Sequence, residues 1–205
     1  MREIRSYEKA YSKVKNHIEK FADCVRNGFD DFKKVNEFKN TSLDLMVDLE
    51  IGTRSSFIHD CIKARLNEAF KNEDGITVGK WNQIFAVQFD DSLFVRVKKF
   101  KGRGNVSSYS TKQHRAFMKQ AVIDGIPDEH TFIFAGYIPN KTWTELVGIY
   151  LACWSADGLE WFNKVGEYVV EQAKIVFTEP VQTTSKKRVR VKPSKDSDKK
   201  TGTDN

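Results

Sequence analysis

Cysteine is scarce in this chain, and the three present, Cys24, Cys61 and Cys153, stand far apart. An odd, dispersed set excludes a disulfide framework and argues against a cysteine-rich zinc site. The four histidines are as scattered. No apolar run approaches the roughly 18 to 20 residues that cross a bilayer, so the sequence predicts a soluble, cytoplasmic protein without a membrane partner. Also missing are a Walker loop, H-E-x-x-H, a paired C-x-x-C and G-x-S-x-G, which removes the chemistries those motifs serve. No catalytic residue, metal ligand or cofactor is expected.

Acidic charge is short as well, but only locally. The net charge is +6, and Lys186 to Asn205 holds eight basic residues against three acidic ones, leaving +1 on residues 1–185. Nucleic-acid affinity of the body would therefore need a local patch, while the tail, with Lys186, Lys187, Arg188 and Arg190, would add a salt-sensitive, sequence-independent attraction. From Glu179 onward aromatics are absent and disorder is expected.

What the chain does hold is the run Leu93 to Phe100, LFVRVKKF. Its alternation predicts a strand that sets Arg96 and Lys98 between Phe94 and Phe100 on one side. Upstream, Trp81 to Phe89 alternates too, and Asp90-Asp91-Ser92 between the runs predicts an antiparallel hairpin. A two-residue loop would put Trp81, Gln83, Phe85, Val87 and Phe89 on the face of Arg96 and Lys98, and a one-residue slip would reverse this. That face is either a platform of rings and charges or a covered face whose cations need partners.

Elsewhere, Ile4, Tyr7, Tyr11, Val14, Ile18, Phe21 and Val25 form a heptad stripe that packs on its own domain or on a dimer or partner helix. Gly28 is expected to end that helix, with a second short one after it. A helix follows from Ser55 or Ser56 to Phe70, then the hairpin and a Gly-containing loop over Lys101 to Tyr109. Ser110 and Gln113 match a capping box that starts a helix running to about Ile123. Thr131 to Ile138 and Trp143 to Trp154 predict a second hairpin, and Leu159 to Val176 another helix. The order implies an α+β fold with a largely antiparallel sheet from two hairpins and packed helices. The expected organisation is an N-terminal amphipathic helical arm (1–40), an α+β domain (41–178) and a disordered basic tail (179–205). Two hairpins, each preceded by a helix, hint at a weak duplication.

The succession Asp90-Asp91 to Arg96-Val97-Lys98-Lys99-Phe100, Thr111-Lys112-Gln113, Ala135-Gly136-Tyr137 and a strand into Trp154 and Trp161 resembles an uncharacterised family of bacterial and phage-type proteins. The resemblance covers about residues 55 to 162. It implies a setting near toxin–antitoxin or phage-defence genes and no assigned activity.

Two rival readings of the residues stand beside each other. Arg96, Lys98, Lys99 and Lys101, with Lys112 and Arg115 from the next helix, could track phosphates while rings stack on bases, or could contact a partner protein. Alternatively, Asp90, Asp91 and Lys98 resemble the metal-dependent arrangement of restriction-endonuclease-type nucleases, although Arg96 occupies the position where that strand needs a carboxylate, and a guanidinium cannot ligate a metal. The leading expectation is a non-enzymatic binding protein acting through the basic-aromatic hairpin. An active or decayed nuclease and an interaction module built on the heptad helix are the alternatives.

Overall fold

The computed structural model describes residues 2–42 and 48–165; the sequence-predicted tail, with Lys186, Lys187, Arg188 and Arg190, lies outside these. Two helices open the chain, α1 (Tyr7–Val14) and α2 (Ile18–Ser42), followed by α3 (Ile51–Ala69). The strands β1 (Ile76–Trp81), β2 (Ile84–Phe89) and β3 (Leu93–Lys99) then form one antiparallel meander. Helix α4 (Lys112–Met118) leads to β4 (Thr131–Pro139), β5 (Leu146–Ser155) and β6 (Gly158–Val165), a second antiparallel meander. The six strands lie in chain order in one sheet. Its single parallel joint is β3 beside β4, bridged by α4, so the fold is α+β with a mostly antiparallel sheet. No described helix is long and apolar enough to cross a membrane.

One sheet face carries Phe85, Val87, Phe89, Leu93, Val95, Val97, Ile133 and Tyr137 against buried residues of α1, α2 and α3. The other carries Ile84, Ala86, Phe94, Phe132 and Phe134 against Phe117 of α4. The heptad stripe is consumed in the first core: Val14, Ile18, Phe21 and Val25 are all buried within the chain itself. This leaves Ile18 and Phe21 no free face for a dimer helix.

Several expectations need correction. The N-terminal helix breaks between Val14 and Ile18 and does not stop at Gly28, which sits inside α2. A Cβ at Gly28 would lie 2.7 Å from Ile62 Cγ1 and 2.8 Å from Ile62 N, so glycine is there to let α3 cross closely. Helix α3 starts earlier than Ser55, with Glu50 at its N-cap. The alternating run from Trp81 to Phe89 is two strands: Asn82 and Gln83 both adopt positive φ, at 44° and 66°, the two-residue turn that suits the twist of a hairpin. Leu159 to Val165, read as helical, is β6, because Ala156-Asp157 turns the chain and Gly158 pairs directly with Ser155. The capping box is not formed. Thr111 caps α4 by accepting from the His114 N–H, and Gln113 instead donates to the Asn82 carbonyl. Helix α4 ends at Met118, short of Ile123.

Candidate functional site

Phe89 pairs with Leu93 and Val87 with Val95, so the register is the slipped one. Phe85, Val87 and Phe89 face the three helices with Leu93, Val95 and Val97, whereas Arg96 and Lys98 alternate to the face of α4, with Phe94. The rings flanking them are unavailable for stacking on a base, since Phe94 and Phe100 are fully buried. The platform half of the basic-aromatic expectation is therefore wrong, because the sheet is covered on both faces.

The cations have a different setting. Strand β2 pairs with β3 only through Val87–Phe89 and Leu93–Val95, while β4 pairs along all of Leu93–Lys99. The half of β3 that carries Arg96 and Lys98 thus has no β2 partner in the sheet, and its end is met by the following loop, where the Ser107 N–H donates to the Lys99 carbonyl and Phe100 bridges to Val106. Gly136 of β4 belongs to the same arrangement: a Cβ there would overlap the Lys98 carbonyl oxygen, so the close approach of β4 to this half of β3 requires glycine.

Arg96 is half-buried and lies 5.7 Å above the Phe117 ring. Its Nη1 is buried without a hydrogen-bond partner, and among the described residues no carboxylate pairs with it. Loss of water alone pulls its guanidinium down to about 10. Lys98, also half-buried, is held at about 8 by the same loss of water and by the Arg96 charge. The two imidazoles nearby respond to both cations. Desolvation lowers His59 of α3 to about 4, with Lys98, Lys63 and Arg96 adding to the effect against Asp60. Desolvation with Arg96 and Lys98 lowers His114 of α4 to about 4, and its buried Nδ1 has no partner. Four basic side chains from β3, α3 and α4 thus gather, and the acid acting on them among the described residues, Asp60, is paired with Lys63.

Lys98 lines a cleft of about 780 Å³ with α3, although alternation assigns it to the other face. The first turn of α3 (Ile51, Gly52, Thr53) forms one wall, and its N-cap Glu50 makes no side-chain hydrogen bond to it. Ser56 and His59 continue that wall; Lys99, Lys101, Ser107 and Tyr109 come from the end of β3 and the loop after it. Tyr137 of β4 also lines the cleft, is 1% exposed, and has a buried hydroxyl without a partner. Tyr109 is 91% exposed.

Of the residues singled out in the sequence, Lys98, Lys99 and Lys101 meet at this cleft, with Lys99 lying 4.6 Å from the Trp143 ring. Arg96 stands next to them along β3. Lys112 is exposed on α4 and Arg115 donates to the Ser110 carbonyl; neither lines the cleft. Asp90 and Asp91 sit in the turn before β3, eight and seven residues from Lys98, more than about 20 Å along an extended strand, so they cannot share a metal beside it. Among the described residues no three His, Cys, Asp or Glu side chains converge as a metal site would require. His59, Ser56, Tyr109 and Tyr137 were missed. Only the contact of α3 with the end of β3 makes them neighbours, and no spacing in the sequence signals that contact. Comparison with protein families, with curated proteins and with solved structures returns no match.

Proposed function

We propose that this protein binds nucleic acid through its phosphates, without chemistry on them, using Arg96 and Lys98 with Lys99 and Lys101. The observation that supports this reading is the desolvated pair Arg96 and Lys98, which has no carboxylate partner among the described residues. Holding two cations half out of water without compensation is unfavourable for folding alone. An incoming phosphate supplies the missing charge, and charge-assisted hydrogen bonds to it are the strong kind. The resemblance of the β3, α4 and β4 motifs to a family found near toxin–antitoxin and phage-defence genes adds such a setting to the proposal.

The experiment is titration of the full chain against single-stranded and double-stranded oligonucleotides across a range of salt. Affinity should fall steeply with salt, and Arg96→Met with Lys98→Met should weaken it at least about tenfold, the loss of one charge-assisted contact or more. Absence of binding at low salt, or unaltered binding by the double variant, overturns the reading.

A further inference from the structure

The cleft beside α3 differs from a basic strand surface in the directions from which donors arrive. Tyr137 brings a hydroxyl that is out of contact with water and bonded to nothing. An orphaned buried hydroxyl is unfavourable in the absence of a ligand and is a donor waiting for an acceptor. Tyr137 lines the same cleft as the first turn of α3, which has no side-chain cap and whose N–H groups and dipole favour negative charge. The first turn carries no acidic residue, and Glu50 before it does not line the cleft. Lys98, Lys101 and the hydroxyl of Ser56 complete the set.

An internal phosphodiester exposes two free oxygens and must continue in both directions, so it is held along a surface. A phosphate at a chain end has three free oxygens and close to two charges at neutral pH, and it can be inserted to reach a donor below the surface. We infer that the cleft lined by Ser56, His59, Lys98, Lys101 and Tyr137 is a subsite for the terminal phosphate of a single-stranded nucleic acid, with Tyr109 at its rim as the surface on which the end base stacks. This inference rests on the nucleic-acid reading above. Tyr109 is the one nearly fully exposed aromatic among the described residues of the cleft, and stacking on such a ring is tolerant of base identity. His59, kept neutral to well below pH 6, contributes a ring N–H without adding charge.

The test compares binding of the full chain to single-stranded oligonucleotides identical except for the end: 5′-phosphate, 3′-phosphate or hydroxyl. One of the phosphorylated forms should bind about tenfold more tightly than the hydroxyl form, as one added charge-assisted contact predicts. Tyr137→Phe should erase that preference while leaving the melting temperature at or above that of the parent, because the hydroxyl it removes has no partner among the described residues. Lys98→Met should erase it too, and Tyr109→Ala should weaken all three ligands. Equal affinity for the three ends overturns the inference and leaves the nucleic-acid reading standing. Failure of all three to bind overturns both. Preference retained in Tyr137→Phe removes the phosphate from this cleft, and displacement by inorganic phosphate at the concentration of the oligonucleotide assigns the cleft to a free anion instead.

Discussion

Arg2 and Arg96 lie over the two rings of one stacked pair and are treated in opposite ways. Phe117 and Phe132 stack at 4.5 Å; Arg2 lies 4.1 Å from the Phe132 ring and Arg96 5.7 Å from that of Phe117. Arg2 is 5% exposed and donates to the carbonyls of Ala121, Ile126, Pro127 and His130, with Asp128 at 3.2 Å. Arg96 has an orphaned Nη1 and no described acid beside it. Where a cation serves the fold, the fold surrounds it with acceptors. Among the described residues the region around Arg96 lacks them, and that difference separates a cation the fold holds from one whose Nη1 it leaves unpaired.

The sharpest way to break this comparison is to remove each arginine in turn. Arg2→Ala should destabilise by about 3 to 5 kcal/mol, since it strands several buried or part-buried carbonyls at once. Arg96→Met should act with the opposite sign and stabilise by about 1 to 3 kcal/mol, because it replaces an unpaired desolvated cation with an apolar side chain of similar reach. Urea unfolding of both variants measures the two effects. A loss of stability in Arg96→Met would show that the guanidinium is held by the fold after all.

Acid should expose the same strain. His59 and His114 titrate at about 4 in the folded chain and near 6.5 when unfolded, so the unfolded chain takes up protons first. Their contribution is complete above pH 6.5 and is lost as the pH falls towards 4. Lys98 behaves likewise at the alkaline end: with a folded value of about 8 against 10.5, its contribution is complete above 10.5 and declines as the pH falls through 8. Melting temperatures across both windows should drop on the acid side. In Arg96→Met the drop below pH 6.5 should be shallower, because Arg96 is among the charges that depress both imidazoles. An unchanged slope would separate the histidines from the cluster.

Calorimetry sharpens the ligand side. At pH 8 Lys98 is about half protonated, and a bound phosphate favours its charged form. Oligonucleotide binding at pH 8 should therefore take up a fraction of a proton, read from the dependence of the binding heat on buffer ionisation enthalpy, and Lys98→Met should abolish the uptake. The smallest effect belongs to α4: Lys112→Ala with Arg115→Ala should change stability by less than about 1 kcal/mol, two exposed substitutions, and leave the end preference intact. A lost preference would extend the site onto that helix.

How much of this was legible in sequence follows from what each signal depends on. The strand around Arg96 and the hairpin of β4 and β5 were visible because alternation is local. Strand β1 was lost, since the Asn82-Gln83 turn interrupts the run without a glycine or proline to mark it, and β6 was lost because its apolar residues also suit a helical period. The slipped register, which decides what Arg96 faces, hangs on whether the Asp90-Asp91-Ser92 loop holds two residues or three. Lys98, Lys99 and Lys101 were readable as a basic run. Their lack of acidic partners among the described residues, and the orphaned hydroxyl of Tyr137, depend on long-range packing that no local pattern carries.

The parallel joint between β3 and β4 has a consequence in time. Chain emerging from the ribosome completes the first meander before β4 exists, and at that stage the second half of β3 has neither a neighbour on its β4 side nor Tyr137 next to it. Arg96 and Lys98 would then sit in water as ordinary cations. Contacts distant in sequence form late, so the cleft is assembled only when the second meander docks. On the reading proposed above, only finished molecules would hold a phosphate end, and a stalled or truncated chain ending before Thr131 would not.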